Sequence, residues 1–510
     1  MTVVLDGSHL TLEKLELVAR GREAVEIAQD AWERIRRCRA FLDEKVAGAE
    51  VMYGVTTGIG ELSEVVLTPE ETQRFQRYLV YSHAAGYGEP MAQEDVRAAM
   101  LSRLNVHCHG LSGLRPVVDE TLLAMLNRGV TPVVCQRGSV GASGDLSPMG
   151  QIALVLMGEG EAFYEGERMP GAEAMKRAGI PTVSFEARDG LAVINGSNVV
   201  AGMGALQLND AWRWLKTSEI AAAMTLEALN AQMAAFDERL HRARGYPGAV
   251  ASAASIRRIT EGSELLYGDA LGKKKVQDAY SLRSTPQVTG SARDAWRFAR
   301  EQFEIELNGV GDNPLFFPDD GEVVTGANFQ GTPLGFALEL LGIGVTAVSV
   351  LSERRVNRLM NQHLSVGLPP FLTRGAGMMS GLMLAQYTAG SLVAENRVLV
   401  HPAATGSIPA AADQEDFVSM AMTTAIKTRQ ILDNASGVLA VELLAGAQAL
   451  DFRKPHRPGK GSQAAYELVR EQVAFMEEDR PLYDDINRLA DVVRSGRFVE
   501  AVEAAVGSLD

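Results

Sequence analysis

Three consecutive residues, Ala142-Ser143-Gly144, lie in a stretch of the chain with almost no side-chain bulk, from Gly138 to Leu146. Because glycine tolerates backbone angles that other residues avoid, a tight turn here could bring the Gly144 nitrogen onto the Ala142 carbonyl carbon. Ring closure and loss of water from the backbone and from Ser143 would then give an electron-poor alkene made from the chain itself. An isolated Ala-Ser-Gly is ordinarily a flexible turn, so the chemical interpretation depends on its surroundings.

Three further runs in the first half of the chain contain side chains capable of chemistry. Tyr53 begins an eight-residue run with three glycines and two threonines, which predicts a loop, a common place for catalytic groups. His83 stands among small residues in Tyr-Ser-His-Ala-Ala-Gly. Asn195 begins Asn-Gly-Ser-Asn, which on its own indicates a turn.

The second half adds three more runs. In the segment from Gln277 to Arg283, the arginine could donate two charge-assisted hydrogen bonds to a carboxylate, and Tyr280 is a hydrogen-bond donor or, when deprotonated, a base. Phe329 stands just before a predicted helix start. The pair Gln414-Glu415 lies in a polar run that then becomes helical. Alone, such residues are more often an ion pair or a solvated face.

The elements that must position these groups are mostly helices. Hydrophobic periodicity predicts two amphipathic helices within 10–50 and further helices within 69–127. Short β-prone pieces flank the Ala142 turn, and Ser147-Pro148 after it predicts a helix start with Ser147 as N-cap. Long alanine- and leucine-rich helices are predicted over 219–238, 332–357 and 381–400.

We therefore expect a mainly α protein built as a long-helix bundle with a smaller mixed N-terminal region. Residues 1–205 would form the N-terminal domain, which contains the Tyr53 loop and the Ala142 turn. Residues 206–510 would form an elongated helical bundle. Helices that are apolar on most faces must be covered by other helices, so we expect this bundle to oligomerise.

Composition excludes several classes of protein. The formal charge of -15 is unsuited to a nucleic-acid backbone or an anionic membrane surface. Three scattered cysteines are too few for a disulfide framework, and the N-terminus lacks a secretion signal, so we expect a cytoplasmic protein. The apolar run over 333–351 is interrupted by Glu339, which favours a buried helix over a membrane span.

Taken together, these runs occur in the order and spacing of the histidine ammonia-lyase family, one of the methylidene-imidazolone (MIO) enzymes that include aromatic amino acid ammonia-lyases and aminomutases. The resemblance covers residues from about 10 to about 455. The motifs that carry it contain Tyr53, His83, Ala142, Asn195, Tyr280, Phe329 and Glu415.

The resemblance implies a role for each position and a homotetramer that acts on a small amino acid. It implies a 4-methylidene-imidazol-5-one group formed from the chain, with no external cofactor. It implies that Ala142, Ser143 and Gly144 are the precursors of that group and that Tyr53 is the base. Arg283 would bind the substrate carboxylate, and Asn195 would support the group and the substrate. The inner site would be completed by Tyr280, Gln277 and Phe329.

Two positions bear on the substrate, because in the family His83 and the pair Gln414-Glu415 face its ring. Histidine-specific members resemble this chain at both. An imidazole needs polar partners, which His83 and Glu415 can supply. A phenyl ring would leave Glu415 buried without a partner, at a cost of about 1–3 kcal/mol. The implied reaction is the non-oxidative elimination of ammonia from L-histidine to give trans-urocanate.

The chain also departs from the pattern of histidine-specific members. Phe417 stands where they usually have histidine, Ala279 replaces a common proline, Asp413 replaces a common asparagine, and Ser197-Asn198 replaces Thr-Gln. Two alternatives stay open: an aminomutase that converts histidine to β-histidine, and a lyase that acts on another aromatic amino acid.

Other classes are disfavoured by the residues. His107-Cys108-His109 could suggest a metal site, but neighbours on one short segment point in different directions and no second ligand pair follows, so we expect no metal. The Gly-Ser-Ser-x-Met-Pro-x-Lys loop of the fumarase group is absent from the sequence. A helical oligomer that has lost catalysis is disfavoured by the intact Ser143, Tyr53 and Arg283.

Overall fold

The computed structural model describes residues 2–268 and 270–510, and 59% of the chain is helical. In the described residues the helices are α1 (Leu12–Ala19), α2 (Gln29–Ala47), α3 (Pro69–His83), α4 (Gln93–His107), α5 (Pro116–Arg128), α6 (Leu146–Leu156), α7 (Gly171–Arg177), α8 (Asp189–Ile194), α9 (Asn198–Ala228), α10 (Glu238–Arg244), α11 (Pro247–Ile259), α12 (Glu264–Tyr267), α13 (Tyr280–Arg283), α14 (Thr285–Leu307), α15 (Thr332–Met360), α16 (Met383–Leu399), α17 (Ala421–Asp451), α18 (Lys460–Gln472), α19 (Tyr483–Ser495) and α20 (Arg497–Val506).

The strands are short and form small separate sheets. They are β1 (Val3–Leu5), β2 (Val25–Ile27), β3 (Tyr87–Pro90), β4 (Thr131–Pro132), β5 (Cys135–Arg137), β6 (Glu161–Tyr164), β7 (Glu167–Pro170), β8 (Leu315–Phe317) and β9 (Glu322–Val324). Strands β1 and β2 pair in parallel, β3 pairs with β5, β6 lies between β4 and β7, and β8 pairs with β9. The mainly α fold predicted from the sequence is confirmed.

The chain forms two compact units, each made of several segments. The first contains Met1–Asn209, Ala299–Glu339 and Pro402–Ile426; the second contains Asp210–Phe298, Leu340–His401 and Lys427–Asp510. The end of the first segment lies close to the boundary predicted at residues 205 and 206. The two later segments of the first unit come from regions that the sequence analysis assigned to the helical bundle.

In the first unit, helices α3, α6 and α8 pack against one another, and their ends carry polar residues singled out from the sequence. Helix α3 begins with a capping box between Thr68 and Glu71 and ends at His83. Helix α6 begins directly after the Ala142 turn, and α8 ends just before Asn195. The mutual packing of the three helices therefore fixes three parts of one site.

The predicted start of α6 is wrong by two residues. The N-cap is Asp145, and Ser147 lies inside the first turn, where it is buried. The Asp145 carboxylate accepts hydrogen bonds from the Ser139 hydroxyl (3.1 Å) and the Val200 backbone N–H (2.9 Å) instead of capping its own helix. The cap residue thus ties the turn to α9.

The second unit buries charge in matched pairs. Arg293 donates from Nε and Nη2 to the two oxygens of Glu219, at 3.0 and 2.9 Å. Arg355 Nη2 donates to Glu442 Oε2 at 2.8 Å, and the Thr225 hydroxyl donates to Oε1 at 2.9 Å. All these side chains are buried, and a buried ion requires such compensation because desolvation is costly. These pairs fix the register of neighbouring long helices.

Helix α15 is the one helix in the described part of the chain that is long and apolar enough to cross a membrane. Its most apolar window has a mean hydropathy of 2.0, and 67% of that window is buried inside the protein. Glu339 lies within it and accepts hydrogen bonds from the backbone N–H groups of Ala403 (2.7 Å) and Ala404 (3.2 Å). These features are typical of a core helix.

Candidate active site

The Ala142-Ser143-Gly144 segment forms a tight turn. Gly141 and Gly144 pair with each other as an isolated antiparallel bridge. Ser143 has a φ of 53° and Gly144 a φ of 80°, so both lie in the left-handed region. A residue other than glycine rarely adopts this conformation. The turn is therefore held in a strained form that the surrounding structure must maintain.

Gly196 packs directly against this turn. The Gly196 N–H donates to the Ser143 carbonyl oxygen at 3.2 Å, and the Asp145 N–H donates to the Gly196 carbonyl oxygen at 2.8 Å. A Cβ atom at Gly144 would overlap the Gly196 carbonyl carbon, so only glycine fits there. A compact turn with a left-handed serine, in which only glycine fits at position 144, suits the chemistry of backbone cyclisation, so these residues fit the MIO group.

Asn195 is the C-cap residue of α8 and is buried next to the turn. Its Nδ2 atom donates to Asp312 Oδ1 at 3.1 Å and to the Asn313 carbonyl oxygen at 2.7 Å. Because the amide nitrogen is engaged in this way, the side-chain oxygen of Asn195 is the end available to a donor in the site.

Asp312 anchors Asn195 through a buried network that the sequence analysis missed. It accepts from Arg188 Nη2 at 2.7 Å and from Arg103 Nη2 at 2.9 Å, and all three side chains are fully buried. The sequence contains a signal for it only in the polar run Gly311-Asp312-Asn313-Pro314.

Tyr53 lies in the predicted loop. Its phenolic oxygen accepts a hydrogen bond from the Gly60 N–H at 3.1 Å. Burial raises the pKa of Tyr53 above its ordinary value of 10.0, and the nearby Glu415 carboxylate raises it further, whereas the Gly60 N–H lowers it. The Gly60 contact thus favours the phenolate in a site that otherwise disfavours charge.

His83 is the last residue of α3. Its Nδ1 atom lies 2.7 Å from the Leu79 carbonyl oxygen and 3.0 Å from the Ser82 hydroxyl. Because a carbonyl oxygen can only accept, Nδ1 carries the proton in the neutral ring and Nε2 is an acceptor. Burial lowers the pKa of His83, which keeps the ring neutral, against an opposing effect of Glu415.

Glu415 is the neighbour that these groups share. Ala410 and Glu415 form an isolated bridge across a turn in which Ala411, Ala412 and Asp413 have positive φ angles. The turn points one Glu415 oxygen toward the Ser143 hydroxyl, at 3.4 Å. Gln414 in the same turn is exposed.

Phe329 is half-buried, and its carbonyl oxygen accepts from the Ser197 hydroxyl at 2.9 Å. This bond joins the segment before α15 to the turn that follows Asn195. The first unit therefore brings together seven short segments at one place; they contain Tyr53, His83, Ser143, Asn195, Asp312, Phe329 and Glu415.

Gln277, Tyr280 and Arg283 belong to the second unit. Gln277 is exposed, and Tyr280 is 73% exposed at the start of the short helix α13. The Arg283 guanidinium lies 4.6 Å from the centre of the Tyr280 ring, and its buried Nε atom has no hydrogen-bond partner among the described residues. A buried donor without a partner is suited to an anionic ligand.

No cluster of three or more histidine, cysteine, aspartate or glutamate side chains suited to a metal ion occurs within residues 2–268 and 270–510. His107 and His109 instead bond to different parts of the first unit. His107 Nε2 lies 3.0 Å from the Ala192 carbonyl oxygen, and His109 Nε2 lies 3.1 Å from that of Asn308.

The chain is similar to known proteins over almost its whole length. A family model described as aromatic amino acid lyase matches residues 10–471. The chain is 47% identical over 501 residues to the histidine ammonia-lyase of Caldanaerobacter subterraneus subsp. tengcongensis, covering 98% of each chain. The solved histidine ammonia-lyase of Trypanosoma cruzi superposes with a TM-score of 0.92 at 34% identity, over 99% of this chain and 96% of that one.

A tyrosine aminomutase from Streptomyces globisporus superposes with a TM-score of 0.95 at 36% identity, over 100% of this chain and 99% of that one. The fold and the comparisons thus define a carbon–nitrogen lyase. The chain belongs to the aromatic amino acid lyase family, and the predicted enzyme class, an ammonia-lyase, is confirmed.

Proposed function

We propose that this chain removes ammonia from L-histidine without oxidation and releases trans-urocanate. The observation that carries the proposal is the position of the Glu415 carboxylate, 3.4 Å from the Ser143 hydroxyl. A carboxylate at this place faces the ring of an amino acid bound at the turn. The relatives named histidine ammonia-lyase support the same substrate.

Ring recognition follows from two hydrogen-bond acceptors. His83 offers Nε2, because its Nδ1 proton is held by Leu79. Glu415 offers its carboxylate oxygens. An imidazole has one N–H donor when neutral and two when protonated, whereas a phenyl ring has none. A phenyl ring would therefore desolvate both acceptors without replacing their hydrogen bonds.

The residues that would form the MIO group are Ala142, Ser143 and Gly144. When formed, that group supplies an electrophile to which the substrate can be attached, as in covalent catalysis generally. Asn195, held by Asp312, directs its side-chain oxygen toward a donor in the site. The N-terminal end of α6 follows the turn directly, and its positive dipole favours negative charge there.

Proton removal is assigned to Tyr53. As phenolate, its oxygen takes the β-proton of the substrate, and the Gly60 N–H steadies the negative charge. Binding of the substrate carboxylate is assigned to Arg283, whose buried Nε atom has no hydrogen-bond partner among the described residues. Tyr280, Gln277 and Phe329 are assigned to contacts with the substrate, as the family resemblance implies. The glycine-rich loop that carries Tyr53 excludes water while the reaction proceeds.

We also propose that the enzyme is a cytoplasmic homotetramer without nucleic-acid or membrane partners, and that residues 206–510 supply the oligomerisation surface. Large apolar side chains are exposed on α15 and α16 of the second unit, and an exposed apolar face of this kind is typical of a subunit interface. They are Leu340, Ile343, Leu384, Tyr387 and Val398. The three cysteines are free thiols, and Cys38 and Cys108 are buried, which suits a reducing compartment.

An aminomutase is the second candidate, because the tyrosine aminomutase superposes as well as the lyases do. Purified protein should be given L-histidine while urocanate is followed by its near-ultraviolet absorbance and ammonia is measured in parallel. Equal amounts of urocanate and ammonia support the proposal. β-Histidine without urocanate would establish the aminomutase, and turnover of phenylalanine or tyrosine alone would refute the assignment of His83 and Glu415.

A further inference from the structure

His107 and Asp119 form a fully buried pair in the first unit that the proposed reaction does not use. His107 Nδ1 lies 2.6 Å from Asp119 Oδ1, and Nε2 lies 3.0 Å from the Ala192 carbonyl oxygen. Since a carbonyl oxygen can only accept, Nε2 must carry a proton. The aspartate occupies the other nitrogen and so fixes the orientation of the ring.

The Ala192 carbonyl belongs to the last turn of α8, where carbonyl groups lose their helical partners. In a continuing helix, Ala192 would accept a hydrogen bond from the Gly196 N–H. Here the Gly196 N–H donates to the Ser143 carbonyl oxygen instead, at 3.2 Å. The Ala192 carbonyl oxygen accepts from His107 Nε2 and from two atoms of the Arg103 guanidinium, Nε at 2.7 Å and Nη2.

This exchange of partners has a consequence for the backbone. Because the Ala192 carbonyl is hydrogen-bonded to side chains, helix α8 can end before Asn195. The Asn195 backbone is extended, with φ -90° and ψ 102°. Gly196 then lies alongside the reactive turn and contacts it through both its N–H and its carbonyl oxygen. Because side chains bind the Ala192 carbonyl, the Gly196 N–H is free to donate to the Ser143 carbonyl oxygen.

We propose that His107, oriented by Asp119, is a positioning residue for the MIO-forming turn. Together with Arg103, it holds the Ala192 carbonyl so that the Gly196 N–H is free to bind the Ser143 carbonyl and keep the turn in its compact form. This inference rests on the proposed function, because it assigns a role in building the same turn. His107 touches neither substrate nor the reacting atoms.

His109 provides a matched control. It lies two residues away, and its Nε2 atom also lies near a backbone carbonyl, that of Asn308, at 3.1 Å. The Asn308 side chain is hydrogen-bonded to the backbone of Leu10, just before α1, and not to the reactive turn. Replacing His109 with leucine therefore removes the same kind of hydrogen bond without affecting α8.

The test compares His107→Leu, His107→Gln and His109→Leu with the unchanged protein, by intact mass and by kcat and KM for L-histidine. Unchanged protein and His109→Leu should be two water molecules lighter than the sequence. His107→Leu should contain uncyclised chains and show kcat reduced about 100-fold with KM nearly unchanged, as misplaced reacting groups do. His107→Gln, whose amide can still donate to Ala192, should recover part of both.

Complete cyclisation of His107→Leu with the kcat of His109→Leu would overturn the inference. If the unchanged protein itself had its full mass, the proposed function would fail instead. Neutron diffraction from unchanged, deuterated protein gives an answer even if His107→Leu does not fold. Deuterium on Nε2 directed at the Ala192 carbonyl supports the inference, and an Nε2 atom without deuterium overturns it.

Discussion

The Nδ1 atom of His83 lies 2.7 Å from the carbonyl oxygen of Leu79, four residues earlier in the same helix. This bond fixes one tautomer, so the ring presents Nε2 to the site as an acceptor. Replacing His83 with leucine removes that acceptor from a site built for an N–H donor. We expect kcat/KM for L-histidine to fall about ten- to a hundredfold, as expected when a substrate donor loses its partner.

The same His83→Leu protein should turn over phenylalanine better than the unchanged protein, because an unpaired acceptor no longer opposes a phenyl ring. Rates with both amino acids measured at matched concentrations test this. An unaltered preference for histidine would show that His83 does not face the substrate ring.

Glu415 makes the second prediction. Glu415→Gln preserves the side-chain volume but removes the charge and one acceptor, so we expect a loss of kcat/KM for L-histidine of about ten- to a hundredfold. Asp416→Asn is the control, because Asp416 is the adjacent carboxylate and is exposed. Equal effects of the two substitutions would argue that only the net charge of the loop matters.

The ionisation of Tyr53 should determine how kcat depends on pH. Burial raises the pKa of Tyr53 above 10.0, and the proposed base is the phenolate. Below that pKa the phenolate fraction rises tenfold for each pH unit, so kcat should increase with pH between neutrality and pH 9. Tyr53→Phe should abolish turnover, whereas Tyr78→Phe, at an exposed position, should retain it. A kcat that is flat over this range would exclude Tyr53 as the base.

The protonation of Glu227, in the second unit, should make the stability of the protein depend on pH. Burial raises the pKa of Glu227 from 4.5 to about 7, although the Gly459 N–H donates to it at 2.6 Å. The folded state therefore holds this proton more tightly than the unfolded state, and stability falls as pH rises from 4.5 to 7. Above pH 7 the loss is complete and amounts to about 3 kcal/mol.

Glu227→Gln imitates the protonated side chain and should remove that loss. We expect its thermal midpoint to exceed that of the unchanged protein at pH 8 and to match it near pH 5. Thermal scans at one protein concentration measure both values. A variant that is less stable at pH 8 would mean that the carboxylate is favourably paired in the folded state.

Local signals in the sequence predicted much of the fold. The two amphipathic helices predicted within 10–50 are α1 and α2. The bounds of the helix predicted over 219–238 are wrong, because α9 runs from Asn198 to Ala228. Asn230 then adopts a φ of 51°, which ends the helical path. Because Asn195-Gly196 indicates a turn, the sequence did not predict that a long helix begins directly after it, at Asn198.

The site was predictable where chemistry is concentrated in short motifs and unpredictable where it depends on distant pairing. The motifs around Tyr53, His83 and Glu415 gave candidates that the first unit brings together. The Arg103–Asp312 pair joins residues 209 positions apart, and single charged residues in a sequence do not indicate such partners. The hydrogen bond between His107 and the Ala192 carbonyl likewise depends on how α4 packs against α8, which the sequence does not indicate.

We propose that the chain forms its own electrophile at the turn beside Gly196. The decisive measurement is the intact mass of purified protein with demonstrated turnover, alongside Ser143→Ala as a folded reference. We predict that the active protein is lighter than its sequence by two water molecules, and that Ser143→Ala has its full mass and almost no turnover. An active protein of full sequence mass, with an intact serine at position 143, would show that turnover does not depend on an electrophile formed from the chain.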